Sequence, residues 1–366
     1  MDNTMKYFSI FAIFSLFLGF TPFAIAANGA AQLKYIEFSQ LGNPADVLEV
    51  KEDDSRSLKG GEVRVRVLAV PINPSDLLQI EGNYGIDPVL PYKPGKEGIG
   101  RVLEISPEIK HLIVGQLVLL VGGETGTWRD EIIAPASGFL PLPNLGPLDS
   151  NMIEQLSMTV VNPMTALIML NSFVEMKEGQ WLVQSASNSA VGGYIIQLAK
   201  QRGIKTINVV RREGLAEDLL AKGGDVVLID GPNLSAQISK ATNNAPVMLA
   251  LDAVGGDTYT RLANSLGYGG TLVAYGVLSG KDATLNTGMT IVNDIRLRSF
   301  WLTKWYEAAE MKEVQAAFGQ IIPLIVSGDL KANIDSRFSV SEIKQAVTRA
   351  EKDGRNGKVL IIPTAH

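Results

Sequence analysis

Gln180-Trp181-Leu182-Val183-Gln184-Ser185-Ala186-Ser187-Asn188-Ser189-Ala190-Val191-Gly192-Gly193 is the stretch that decides the fold. An apolar run enters a turn of small residues, and a helical pattern continues from Val191 to Arg202. A strand that turns tightly into a helix aims free backbone N–H groups, and the positive end of the helix dipole, at the turn. Such a turn binds anions, and small residues let a pyrophosphate approach the backbone. The turn departs from the G-x-G-x-x-G pattern, because Asn188 and Ala190 stand where glycine is commoner. Gly192 and Gly193 permit close helix–strand packing. Taken alone, the segment reads equally well as any strand–helix turn of an α/β protein.

The next strand sharpens the reading. The strand read over Lys205–Arg211 carries Thr206-Ile207-Asn208-Val209-Val210 into Arg211-Arg212. At this place an acid would accept the ribose 2′-hydroxyl of NAD, whereas arginine suits the 2′-phosphate of NADP. The planar guanidinium donates two parallel hydrogen bonds to phosphate. The alternative is a solvated strand end, with Glu213 paired to one of the arginines.

Downstream, strand and helix patterns alternate through helix 215–222, strand 226–230, helix 234–241, strand 247–254, helix 258–266 and strand 270–277. The strands are continuous apolar runs, as expected of a parallel sheet covered on both faces. The alternation predicts an α/β fold with a doubly wound (Rossmann) parallel sheet. A helix is expected over 307–327, and a final strand, 358–363, returns to the first domain. Upstream, residues 33–150 read as short strands and turns. Val63, Val65 and Val67 alternate inward along 62–70, with further strands at 100–105 and 117–121 and turns at Asn73-Pro74 and Gly82-Asn83. This part is a mainly β domain. Residues 152–173 are apolar at helical spacing, broken at Asn162-Pro163.

The 366 residues are 46% hydrophobic and 19% charged, with net charge −5. About two domains with a sizeable core follow. No basic stripe favours nucleic acid as a partner. There is no cysteine, and the two histidines are His111 and His366. That donor set supports neither a catalytic nor a structural zinc site, so no metal is expected. Thiol nucleophiles and disulfides are excluded. At the N-terminus, Lys6 precedes the apolar run Tyr7–Phe20, which Ala24-Ile25-Ala26 closes. This is the layout of a signal peptide over residues 1–26, implying an exported or periplasmic protein. The alternative is a membrane anchor with the body in the cytoplasm.

Together these segments resemble the mitochondrial-type trans-2-enoyl-thioester (enoyl-CoA/ACP) reductases, zinc-free members of the quinone oxidoreductase-like medium-chain dehydrogenase/reductase superfamily. The carriers include Ile72-Asn73-Pro74-Ser75-Asp76, Gly82-Asn83-Tyr84-Gly85, Gly126-Thr127-Trp128-Arg129 and Asn162-Pro163-Met164-Thr165-Ala166. The Ser-Asn-Ser turn, Asn208–Arg211 and Phe300-Trp301-Leu302-Thr303 complete them. The resemblance implies a GroES-like domain built from residues 33–155 and 306–366, with an NADPH-binding domain, 156–305, inserted. It places the active-site tyrosine at Tyr84. It places NADPH contacts at Asn162, Asn188, Ser189, Ala190, Val191, Arg211, Tyr275, Gly276, Val277, Leu278, Phe300, Trp301, Leu302, Thr303 and Lys358. The family usually has glycine at Ala190, and Gly-Asn-Glu-Gly where this chain has Gly95-Lys96-Glu97-Gly98.

The implied reaction is hydride addition to an α,β-unsaturated carbonyl. Its carbonyl oxygen needs a hydrogen-bond donor as enolate charge develops. With no metal ligands available, the Tyr84 phenol is the candidate, against the reading of an ordinary turn tyrosine. Reduction of 2-enoyl thioesters, in fatty acid metabolism, by a homodimer is expected. The alternatives are an NADPH:quinone or enone/enal oxidoreductase, and a non-catalytic NADPH-binding protein.

Overall fold

The computed structural model describes residues 32–53, 56–121 and 125–363. The expected signal peptide and His366 lie outside these residues. The described residues start with a two-stranded ribbon, β1 (Leu33–Glu37) and β2 (Glu49–Asp53), flanking the one-turn helix α1 (Pro44–Val47). Next come β3 (Glu62–Pro71), α2 (Pro74–Glu81), β4 (Glu97–Ile105), β5 (Leu117–Val121), β6 (Glu131–Pro135) and β7 (Phe139–Pro141). β3, β4, β5 and β7 pair antiparallel in sequence order, and β6 pairs with β3.

Helix α2 corrects the expectation of a plain turn at Asn73-Pro74. Asn73 and Asp76 form a reciprocal capping box, Pro74 takes the first helical position, and Gly82 closes the helix at φ 80°. All three signals were in the sequence, inside a segment dominated by strands.

Helices α3 (Ser150–Ser157) and α4 (Asn162–Ser172) follow, broken before Asn162-Pro163 as read from the sequence. The alternating region then gives β8 (Trp181–Gln184), α5 (Ala190–Gln201), β9 (Lys205–Val210), α6 (Ala216–Ala221), β10 (Val226–Ile229), α7 (Leu234–Ala241), β11 (Val247–Asp252), α8 (Gly256–Ala263), β12 (Thr271–Ala274), α9 (Thr287–Val292) and β13 (Arg296–Ser299). These six strands form one parallel sheet, ordered β10-β9-β8-β11-β12-β13. The doubly wound expectation holds. The order reverses between β8 and β11, and in such sheets ligands bind outside the strand ends at that reversal. The turn after β8 lies there.

The helix expected over 307–327 is α11 (Met311–Ser327), starting four residues later, and a short helix that the sequence reading did not give, α10 (Leu302–Ala308), precedes it. Ala309 is extended, and the Glu310 and Glu313 side chains form a capping box that restarts the helix. The chain closes with β14 (Ile334–Phe338), α12 (Ile343–Glu351) and β15 (Lys358–Ile361). β15 pairs antiparallel with β3, which ties the C-terminal strand to the first sheet. One buried cluster joins Ala69, Ile99 and Leu119 of the β region to α3, α4 and α11, and to Leu182, Leu249 and Val273 under the parallel sheet.

Candidate active site

The turn after β8 is built by side chains beneath it. Gln184 donates from Nε2 to the Gly192 carbonyl (3.0 Å) and to Asn208 Oδ1 (2.8 Å). The Ser187 hydroxyl donates to the Gln184 carbonyl at 3.0 Å. Ser189 caps α5, its Oγ accepting from Gly192 N at 3.1 Å. Gly192 is obligatory, since a Cβ there would lie 2.5 Å from the Ser187 carbonyl oxygen. Ala186 holds φ at 47°, in the left-handed region. A crevice passes Asn188, Ser189 and Ala190 and reaches Lys222 and Lys331. No sequence pattern flagged those two lysines, because only the fold brings their loops to the turn.

Arg211 follows β9, exposed, with its guanidinium ion-paired to Asp353 from the loop before β15. Glu213 is therefore not the partner drawn in the structure. Arg212 beside it is also exposed. Tyr275 follows β12 with its hydroxyl buried and without a hydrogen-bond partner, and burial pushes that phenol well above its ordinary pKa. Gly276 is pressed against β11, where a Cβ would come 2.9 Å from the Ala253 carbonyl oxygen. Val277 and Leu278 are exposed. These residues fit a dinucleotide: a capped helix start with small residues for the phosphates, and an exposed arginine one strand over for a 2′-phosphate.

Tyr84 sits on the loop after α2. Its hydroxyl accepts from Trp301 Nε1 at 2.9 Å and lies 3.5 Å from Thr303 Oγ1. The Tyr84 and Trp301 rings meet edge to face, with centroids 5.5 Å apart. The β region's tyrosine thus touches the segment that follows β13. Phe300 stacks edge-on against Phe173, and Leu302 packs into the shared core.

Asn162 and Lys358 enter one buried polar network. Asn162 Nδ2 and Lys358 Nζ both donate to Asn73 Oδ1, at 2.9 and 2.5 Å. Asn73 Nδ2 donates to Glu97 Oε1 at 2.8 Å, and the Val161 backbone N–H donates to Glu97 Oε2 at 2.9 Å. Burial pushes the Glu97 carboxyl up to about 7, against the pull of Lys358 and its two hydrogen bonds. Burial likewise brings Lys358 down to about 8, with Glu97 opposing. Sequence reasoning did not commit to Glu97 or Asn73. The amide of Asn162 is turned toward Asn73 and does not cap its own helix. A separate cavity of about 230 Å³ lies between Leu120, Thr125, Ile132 and Phe139, and among the described residues its lining holds no titratable group. Among the described residues, no cluster of three or more His, Cys, Asp or Glu is placed to hold a metal.

A GroES-like β region, a doubly wound sheet and a small-residue turn at the strand reversal define a medium-chain dehydrogenase/reductase. The family model of the alcohol dehydrogenase GroES-like domain matches residues 59–144, and that of the zinc-binding dehydrogenase matches 190–317. The rat mitochondrial enoyl-[acyl-carrier-protein] reductase is 33% identical over 89% of this chain and 88% of its own. The human protein of that name is 32% identical over 92% of this chain and 90% of its own. The chain belongs to this family of mitochondrial-type enoyl reductases. Among solved structures, Etr1p with NADP and crotonyl-CoA superposes with a TM-score of 0.81 at 26% identity, covering 91% of this chain and all of that one. A Bacillus thuringiensis protein named for NADPH:quinone reductase gives 0.82 at 29% identity, covering 92% and 100%. The name of the second family model mentions zinc, but a cysteine-free chain lacks that donor set.

Proposed function

We propose that this protein reduces the carbon–carbon double bond of 2-enoyl thioesters with NADPH, and that Tyr84 is the donor to the substrate carbonyl. The observation that carries this reading is the meeting of the Tyr84 hydroxyl with Trp301 and Thr303. It sets a phenol between the β region and the nucleotide-binding sheet. When bound, NADPH supplies the hydride. The α5 start and the turn at Asn188–Val191 hold the pyrophosphate, and Arg211 takes the 2′-phosphate. Trp301 donates to the phenol oxygen, which leaves the Tyr84 hydrogen free for the carbonyl oxygen. As charge moves onto that oxygen, a fixed donor lowers the barrier more than it strengthens ground-state binding.

Relatives support the thioester: the rat protein is named for enoyl-[acyl-carrier-protein] reduction, and Etr1p was solved with crotonyl-CoA. The Bacillus thuringiensis likeness favours quinones or small enones instead. The test is purified protein with NADPH and a panel of enoyl thioesters, enals and quinones, beside Tyr84→Phe. Thioesters should be turned over best, and Tyr84→Phe should lower kcat about a hundredfold. Turnover of quinones alone, with Tyr84→Phe unaffected, defeats the reading; nucleotide binding with no turnover leaves the non-catalytic one.

A second copy of the chain is the partner we infer. β13 is an edge strand exposed along its whole length, beside α9, whose Ile291 and Val292 are each 73% exposed. Unpaired edges and apolar patches favour association, and an Etr1p/Etr2p heterodimer is known from Candida tropicalis. Light scattering should give twice the chain mass, halved by Ile291→Glu. For localisation we keep export with cleavage after Ala26, on the Lys6, apolar-run and Ala-Ile-Ala layout. N-terminal sequencing of the native protein should begin at Ala27; an intact Met1 in membranes favours the anchor.

A further inference from the structure

Lys96 lies on the face of the Tyr84 ring, with Nζ 3.3 Å from the centroid. The ammonium is fixed there by the Ser75 carbonyl of α2, at 2.9 Å. The next residue of α2, Asp76, is 2% exposed, and its Oδ1 has no hydrogen-bond partner. The buried Asp76 carboxylate pulls on this cation through space, and the cation lies on the ring of the phenol assigned above to the substrate carbonyl. An ammonium serving only to neutralise Asp76 would not need the ring face. We propose that Lys96 is a positioning residue of the reaction: it fixes the Tyr84 ring and polarises the phenol O–H toward the substrate carbonyl oxygen. This rests on the reading of Tyr84 given under the proposed function.

The physical argument is one of difference. A cation on an aromatic face is worth more when desolvated. Its pull on the phenol grows in value as negative charge collects on the accepting oxygen. The benefit therefore appears in the transition state and in kcat, and little in substrate binding. The working form is the ammonium. The titratable groups facing it are Asp76 on α2 and Tyr84 on the loop, and Tyr92, before β4, faces those two. Burial pushes Lys96 below its ordinary value of 10.5, with Asp76 and Tyr84 pulling it back. Since the charged form is active, kcat is full below that lowered value and is lost as pH rises through it.

The test compares the wild type, Lys96→Met and Lys96→Arg, each alone and with Tyr84→Phe, on enoyl thioester and NADPH across pH. Lys96→Met should lower kcat about tenfold, leave KM within about twofold, and abolish the alkaline decline. Lys96→Arg, charged at every accessible pH, should keep most of kcat and lose the decline. In the Tyr84→Phe background, Lys96→Met should cost nothing further. Independently of turnover, carbon-13 titration of the lysine side chains without cofactor should show two resonances below the ordinary lysine range, Lys358 and Lys96, of which Lys96→Met removes one. An unchanged kcat, a decline that survives Lys96→Met, or an equal cost in the Tyr84→Phe background overturns the proposal. If Tyr84→Phe turns over normally while Lys96→Met does not, the tyrosine reading fails first. The ammonium would then act without the phenol, and this inference falls with it.

Discussion

Ala186 is held at φ 47°, where a side chain crowds the following carbonyl and costs about 1 kcal/mol. Glycine pays less there. Ala186→Gly should raise the unfolding free energy by about 0.5 kcal/mol, after the loss from a freer unfolded chain. A drop beyond 1 kcal/mol in urea unfolding would mean that the alanine methyl packs productively. At Arg211 the contest is electrostatic. Asp353 holds the guanidinium in the structure, yet both side chains are mostly exposed, at 71% and 81%. Water and salt screen that pair, so a 2′-phosphate with two charges displaces the carboxylate. Arg211→Gln should lower the preference for NADPH over NADH by about tenfold or more, the worth of charge-assisted bonds. Equal dissociation constants for NADPH in wild type and variant would remove Arg211 from the cofactor site.

Secondary-structure elements carry the next set of constraints. Strand β4 begins with Glu97, whose second carboxylate oxygen accepts from the Val161 N–H at the start of α4. Val161 has no side chain able to cap that helix, so a residue 64 positions away does it. Glu97→Gln offers one acceptor and one donor to two facing donors, and removes one of the two carboxylates, the other being Asp76, that pull on Lys358. A buried donor left facing another donor costs about 2 kcal/mol. Chemical denaturation should find that loss, and a cost below about 1 kcal/mol would show that the network rearranges freely. Helix α2 teaches the reverse lesson about legibility. Its capping box, first-turn proline and closing glycine were all local and readable, but the surrounding strand pattern concealed them. Helix α10 was less visible, because Leu302–Ala308 is only seven residues long and ends just as the pattern read over 307–327 begins.

At the scale of the whole molecule, the two sheets share a buried core through α3, α4 and α11. Separate unfolding of the nucleotide-binding sheet would strip that core from the β region. Unfolding should therefore be one transition, with tryptophan fluorescence and circular dichroism giving the same midpoint. Saturating NADPH should shift it upward, by about 2.7 kcal/mol at a hundred times Kd. Two resolved transitions would show that the shared core does not couple the halves. The sequence by itself determined the doubly wound sheet, the small-residue turn after β8 and the arginine after β9. All three rest on residues close along the chain, where periodicity and backbone sterics leave few choices. It also suggested Tyr84, through the Gly-Asn-Tyr-Gly resemblance. Only the tertiary structure decided what surrounds that tyrosine. Trp301 reaches it from 217 positions away, and Asn73 gathers Glu97, Asn162 and Lys358 from three other segments. Charge, burial and contact at such a site depend on which segments the fold brings within a few ångströms, and no local pattern encodes that distance.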